Sequence, residues 1–147
     1  MRHRGFTLVE LLIVVIILGI LAAIVIPQFG AASDDARLST LTSDLQTIRC
    51  QLQLYRAEHN AYPNGTTSDA WKAQLTGKTA MDGSAGIDYG PYLQTFPTNP
   101  FNDSAAVYLD VDGTGSPGAQ SADSCGWYFH PATGKFAAND SVAHGAL

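Results

Sequence analysis

The longest apolar run of the sequence lies near the amino terminus. Every residue from Leu11 to Ile26 is apolar or Gly, and Glu10 is the only charged residue between Phe6 and Ile26. As a helix, the stretch from Phe6 to Ile26 would span about 31 Å at ~1.5 Å per residue, which matches the hydrocarbon core of a bilayer. The pattern therefore predicts a membrane-spanning helix over 6–33.

A second apolar pattern has the spacing of an amphipathic helix. Large side chains recur in alternating steps of three and four residues, at Leu38, Leu41, Leu45, Ile48, Leu52, Tyr55, His59 and Tyr62. Mostly small side chains follow the opposite face, at Ala36, Thr40, Ser43, Thr47, Cys50, Leu54, Ala57 and Ala61. We therefore expect a helical half over 34–62 that is contacted from two sides. The sequence leaves open which face packs against the same chain.

Two prolines mark the middle and the end of this long helix. Pro27 removes a backbone donor, so we expect a kink or a locally melted turn there. The helix should end near Asn60, because Pro63 disfavours helical conformation in the residue before it.

The remaining residues, 63–147, predict a compact α+β head. Ser68 can cap a short helix in which Trp71 and Leu75 share one face. Strands are predicted over 105–111, 127–130 and 135–138, and the last two should form an antiparallel hairpin. The expected fold class is therefore α+β, with a long N-terminal helix packed on a small antiparallel sheet.

Charge and length limit the classes of function. The chain has 147 residues and a formal charge of -5, which leaves room for one small head and argues against a nucleic-acid partner. Arg2 and Arg4 precede the apolar run, and the positive-inside rule places that end in the cytoplasm. The expected topology is a single-pass membrane protein with its head outside the cytoplasm.

Glu10 is not explained by a simple anchor, because a carboxylate that enters hydrocarbon is unfavourable. A secretory signal peptide is the first alternative, since Gly30-Ala31-Ala32 before Ser33 could be a cleavage site. An ordinary signal peptide has an apolar region of about 7–15 residues and no Glu at its head. A plain single-pass anchor is the second alternative, and it leaves Glu10 unexplained.

The stretch Gly5-Phe6-Thr7-Leu8-Val9-Glu10-Leu11, followed by the apolar run and Pro27, resembles the processing motif of type IV pilins and type II secretion pseudopilins. The resemblance implies a leader peptide over 1–5, cleavage between Gly5 and Phe6, and N-methylation of Phe6. It also assigns Glu10 as the carboxylate that guides assembly, paired with the Phe6 amine of a neighbour. The fold implied is pilin-like, and Gly90-Pro91-Tyr92-Leu93 is similar to the major pseudopilins.

This resemblance implies a non-enzymatic structural subunit of a type IV pilus-like filament, most similar to a type II secretion pseudopilus involved in protein export. The implied partners are other copies of the chain through their N-terminal helices, a prepilin peptidase, an inner-membrane assembly platform, and membrane lipid before assembly. The subunit would first lie in the inner membrane with its head in the periplasm. The alternatives are the major subunit of a surface type IV pilus and, from another class, a monomeric membrane-anchored periplasmic binding module.

Two cysteines, Cys50 and Cys125, both lie outside the membrane in this topology. An even number of cysteines in an exported chain favours one disulfide, which would join the long helix to the C-terminal sheet. Two unrelated thiols are the alternative. A bond to Cys125 would require the small face of the helix to pack on the sheet.

One further loop has the residue types of a metal site. Asp110 and Asp112, followed by Gly115, match the first half of a calcium loop, but position twelve is Ser121 rather than Glu. The resemblance to major pseudopilins implies calcium binding by Asp110, Asp112 and Asp123. A solvated turn is the alternative, so no cofactor beyond a possible calcium ion is expected.

His144 is expected in a loose tail.

Overall fold

A computed structural model of the chain describes residues 6–118 and 125–147, with the side chains of 25–31 outside the described set. In chain order the elements are α1 Leu8–His59, α2 Ser68–Thr76, β1 Val107–Leu109, β2 Trp127–His130, β3 Lys135–Ala138 and α3 Val142–Gly145. The chain divides into two compact units, Met1–Ala36 and Arg37–Leu147. The α+β, pilin-like fold class is confirmed.

The described part of the N-terminal unit is the beginning of α1. Its large apolar side chains are exposed from Phe6 to Ile24. Among the residues that the structure describes, no helix meets the length and apolarity needed to cross a membrane. Pro27 lies within α1, but its side chain is outside the described set, so the kink stays a prediction.

In the second unit, α1 packs on the head through its large side chains. Leu41, Leu45, Ile48, Leu52 and Tyr55 are each at most 1% exposed and belong to one core cluster. The small residues of the opposite face are exposed. The sequence did not decide which face of α1 packs against the same chain. The structure shows that it is the face with the large side chains, the large stripe, and not the small face.

The sheet has the strand order β1-β2-β3 and is mixed rather than antiparallel. β2 and β3 form the predicted hairpin, with Phe129 opposite Phe136. β1 is parallel to β2, with Val107 opposite Trp127, which corrects the expected antiparallel sheet. The reason is the long connection over 110–126, because a parallel neighbour needs a crossover rather than a tight turn.

The turn between β2 and β3 requires a glycine at position 134. Its φ is 72°, a backbone conformation that side-chain-bearing residues rarely adopt. The ring of Tyr62 also lies so close that a Cβ at Gly134 would overlap it. The turn therefore brings the residues just after α1 against the sheet.

α2 contributes the predicted pair of aromatic and aliphatic side chains to the core. Trp71 and Leu75 are fully buried, and the Trp71 ring stacks on Phe136 with a centroid distance of 6.1 Å. The N-cap is Thr67 rather than Ser68, because the Thr67 hydroxyl accepts from the Ala70 N–H at 3.2 Å. The Ser68 hydroxyl instead accepts from the N–H of Val107 at 2.9 Å and so links α2 to β1.

Candidate functional site

Glu10 and Thr7 form a reciprocal cap at the start of α1. The main-chain N–H and the hydroxyl of Thr7 donate to Glu10 Oε2 at 2.8 and 2.7 Å, and the Glu10 N–H donates to Thr7 Oγ1 at 3.2 Å. This Thr-x-x-Glu arrangement satisfies orphan donors of the first helical turn. The sequence contained this signal, since a Thr followed three residues later by Glu marks a helix start.

The cap uses one carboxylate oxygen of Glu10. Both Thr7 donors reach Oε2, while Oε1 has no hydrogen-bond partner among the described residues. The Glu10 side chain is exposed, next to the exposed Phe6. Glu10 can therefore accept a further donor from another molecule without losing its own cap. Gly5 lies outside the described residues.

Cys50 and Cys125 are not joined by a disulfide in the described part of the chain. Cys50 is exposed on the small face of α1, and Cys125 is partly buried ahead of β2. A bond between them would need the small face to cover the sheet, whereas the large stripe does so. The packing of α1 leaves Cys50 exposed, and the Cys50–Cys125 disulfide stays a prediction.

Asp110 is buried at the end of β1 and is held by two donors. The hydroxyl of Tyr128 donates to its Oδ2, and the N–H of Gly115 donates to its Oδ1 at 3.2 Å. The Tyr128 hydrogen bond is the main reason that the pKa of the Asp110 carboxyl lies below its ordinary value. Burial, and then the Asp110 carboxylate, raise the pKa of the Tyr128 hydroxyl. The pair therefore joins β2 to the loop that follows β1.

Asp112 is exposed and closes a local turn. Its Oδ1 accepts from the hydroxyl and the N–H of Thr114 at 2.9 and 3.3 Å. The described residues contain no group of three or more His, Cys, Asp or Glu that could hold a metal ion. Asp110 and Asp112 alone do not make up a calcium site, because calcium takes about 6–8 oxygen ligands and both oxygens of Asp110 already accept protein donors. A calcium ion here stays a prediction that depends on Asp123, which lies outside the described residues.

A polar cluster at the end of α1 was not predicted. His59 is buried, its Nδ1 lies 3.1 Å from the carbonyl of Tyr55, and its Nε2 lies 2.9 Å from Thr79 Oγ1. Because a carbonyl only accepts, the neutral ring has its proton on Nδ1 and accepts from Thr79. The Tyr92 hydroxyl donates to Glu58 Oε2 at 2.5 Å, and burial, followed by Glu58, raises the pKa of Tyr92. The cluster ties the connectors to the helix end.

A second buried polar cluster fixes the C-terminal segment. Asn99 is fully buried, and its Nδ2 donates to Gly126 O at 2.8 Å and to Asp140 Oδ1 at 2.7 Å. Asp140 Oδ2 in turn lies 2.5 Å from His144 Nδ1, and the His144 ring packs 4.2 Å from that of Phe101. The expectation that His144 lies in a loose tail is wrong, since it is part of α3 and pairs with Asp140.

Comparison with known families agrees with the N-terminal geometry. A profile described as the prokaryotic N-terminal methylation motif matches residues 1–26. A profile described as type II secretion system (T2SS), protein G, matches residues 28–120, which is more than half of the chain. The chain belongs to the type II secretion protein G family. The resemblance noted from Gly5 to Leu11 is thereby confirmed.

Several relatives of this chain carry the same name. The type II secretion system core protein G of Pseudomonas aeruginosa is 33% identical over 100 residues, covering 68% of this chain and 69% of the relative. The core protein G of Klebsiella pneumoniae is 31% identical over 100 residues, covering 68% and 70%. That of Vibrio cholerae is 26% identical over 132 residues, covering 85% and 88%. No solved structure matches the chain.

Proposed function

We propose that this chain is a non-enzymatic structural subunit of a type II secretion pseudopilus, a filament involved in protein export. The observation that carries the proposal is that one chain matches both the N-terminal methylation motif and the protein G profile. The exposed apolar start of α1 supports it, because a surface of this size needs a covering of lipid or protein.

The processing steps follow from the motif. A prepilin peptidase would cleave between Gly5 and Phe6, and the new amino group of Phe6 would be methylated. Before assembly, α1 would anchor the subunit in the inner membrane with the head in the periplasm. An assembly platform in that membrane would then transfer it to the filament.

The geometry of Glu10 suggests how one subunit is set against the next. In the filament, the apolar start of α1 would exchange lipid for the same helices of neighbours, where packing is close. A carboxylate in that surrounding is tolerated only when it is paired. Oε1 of Glu10 would accept the Phe6 amine of a neighbouring subunit, while Oε2 keeps the cap from Thr7. A subunit out of register would leave both charges unpaired.

Two substitutions separate the charge of Glu10 from its capping role. Glu10→Gln keeps an oxygen that accepts from Thr7 but loses the charge, so we expect filament yield to fall to about a tenth or less. Thr7→Val removes the capping hydroxyl and keeps the charge, so filaments should still form. Both variants should insert into the membrane normally. Filament mass is measured by sedimentation and immunoblotting, with membrane fractions as the loading control.

The reverse pattern would refute the pairing. If Thr7→Val abolished filaments and Glu10→Gln did not, the helix cap rather than the charge would control assembly. The function itself is tested in a strain that lacks its own protein G. The unaltered chain should restore release of exported enzymes, and mass spectrometry should find a mature protein that begins with methylated Phe6. A chain that begins at Ser33 or retains Met1 would contradict the proposal.

A further inference from the structure

A groove lies between α1 and the C-terminal edge of the head. It has a volume of about 510 Å³, and its lining includes Arg49, Cys50 and Gln53 on the helix and Lys135 at the start of β3. Arg49 is held in place, because its Nε donates to Phe136 O at 2.9 Å and its Nη1 to Leu147 O at 3.1 Å. The groove is thus a structured part of the surface.

The groove is positively charged. Arg49 and Lys135 are the ionised side chains in its lining, and no Asp or Glu is among the lining residues. Lys135 is exposed and has no ion-pair partner within the described residues. Arg49 already donates to the oxygens of Phe136 and Leu147, which leaves Lys135 as the exposed charge of the groove. An acidic segment is therefore the complement that this surface fits.

The same chain presents a loop, residues 78–89, that carries two carboxylates, Asp82 and Asp88, against one cation, Lys78. Backbone hydrogen bonds fix its form, among them Thr79 N–H to Tyr89 O at 3.0 Å and Gly86 N–H to Lys78 O at 3.1 Å. Ile87 is nevertheless 82% exposed, and its neighbour Asp88 is exposed as well. An ordered loop that exposes an isoleucine next to an exposed carboxylate has the features of a protein–protein contact, because little conformational entropy would be lost when it binds.

We propose that loop 78–89 of one subunit docks in the Arg49/Lys135 groove of a second copy of this chain. Ile87 would pack on the aliphatic stems of the two basic side chains, and Asp88 would pair with Lys135. The two surfaces are different parts of one molecule, so the contact is heterologous. Repeated contacts of this kind build open helical filaments when the rotation between subunits does not close into a ring. The proposal rests on the proposed function, that the chain polymerises.

The native Cys50 provides the probe, because it lines the groove. We would express the full chain with Ile87→Cys in a strain that has a type II secretion system but no protein G of its own. Filaments are treated with a short bismaleimide, which links nearby thiols. Because each subunit holds both halves of the contact, we expect a ladder of covalent oligomers. The matched controls are Val111→Cys, which replaces another apolar residue that is 76% exposed, and Ile87→Cys combined with Cys50→Ser.

The outcomes separate the docking from the polymerisation. A ladder with Ile87→Cys and none with either control supports the contact. Filaments without that ladder, or a cross-link from Cys50 to a different protein, overturn the docking and leave the proposed function standing. If the unaltered chain forms no filaments, both proposals fail.

Charge reversal is an independent test that does not need Ile87 to be replaced. Lys135→Glu and Asp88→Lys should each lower filament yield about tenfold, because each places like charges against one another. The two changes together should restore the yield to within about threefold of the unaltered chain. Equal head stability in the single variants is checked by urea unfolding. A double variant that assembles no better than the singles would overturn the pairing.

Discussion

Leu52 and Leu54 offer a matched test of which face of α1 supports the head. Leu52 is fully buried in the core cluster, whereas Leu54, two residues further along, is 47% exposed. Truncating a buried leucine removes its transfer free energy and leaves a cavity, so Leu52→Ala should lower the free energy of unfolding by about 2–5 kcal/mol. Leu54→Ala should change it by about 0.5 kcal/mol or less, since alanine suits an exposed helical position.

The protein contains its own reporter for this measurement. Trp71 and Trp127 are both fully buried in the same cluster, and both lie in the head. Their fluorescence therefore follows unfolding of the head in detergent-solubilised full-length protein. With a urea m-value of about 1–3 kcal/mol per M, a loss of about 2–5 kcal/mol in Leu52→Ala should lower the midpoint by about 0.7–5 M. The midpoint of Leu54→Ala should stay within about 0.5 M of the unaltered protein.

The reverse order of the two midpoints would refute the assignment of the core face. A large loss with Leu54→Ala and a small loss with Leu52→Ala would mean that the small face covers the sheet. That arrangement is also the one that a Cys50–Cys125 disulfide would require. The same scans run with and without reductant thus test the predicted disulfide: a Cys50–Cys125 bond would make the midpoint of the unaltered chain fall in reductant, and a midpoint independent of reductant would exclude the bond.

Two further predictions concern the buried polar clusters. Thr79→Val should lower the free energy of unfolding in urea by about 1–3 kcal/mol, because it leaves His59 Nε2 buried without a donor. Thr79→Ser keeps the hydroxyl and should keep most of the stability. Equal losses in the two variants would show that the methyl group of Thr79 matters instead. Tyr128→Phe should raise the pKa of Asp110 toward its ordinary value. Because the pKa of Asp110 is lower in the folded state, its ionised carboxylate stabilises the protein at pH values above the unfolded-state pKa of about 3.9. This stability is lost as the pH falls through the folded-state pKa of Asp110. The stability difference between Tyr128→Phe and the unaltered chain should therefore be largest near neutral pH and shrink in acid, and a difference independent of pH would contradict the role of the ionised carboxylate.

The parts of the fold that the sequence predicted well depend on residues close together in the chain. β2 and β3 have the predicted bounds, since apolar residues on both sides of a Gly-containing turn define a hairpin locally. The end of α1 at His59 likewise follows from the proline that lies a few residues on. The leader motif is the extreme case, because its whole signal lies within residues 5–11.

What the sequence did not predict depends on contacts between distant residues. The hydrogen bonds from Tyr128 to Asp110, from Thr79 to His59 and from Tyr92 to Glu58 join residues 18, 20 and 34 positions apart. No local spacing encodes such pairs, and each of these residues was interpretable as a strand, turn or helix position. The parallel pairing of β1 has the same cause, since it joins Val107 to Trp127, 20 positions further along the chain.

The two faces of α1 also separate folding from assembly, and this extends the test of Leu54. Its side chain is too exposed to matter much to the head, yet it is the one large residue on the otherwise small face. If that face contacts neighbouring subunits, Leu54→Ala should lower filament yield while the urea midpoint stays unchanged. Leu52→Ala should lower both, because an unfolded head cannot assemble. A Leu54→Ala filament yield equal to that of the unaltered chain would show that the small face is simply solvent-exposed, and would leave loop 78–89 and its groove as the contact between heads.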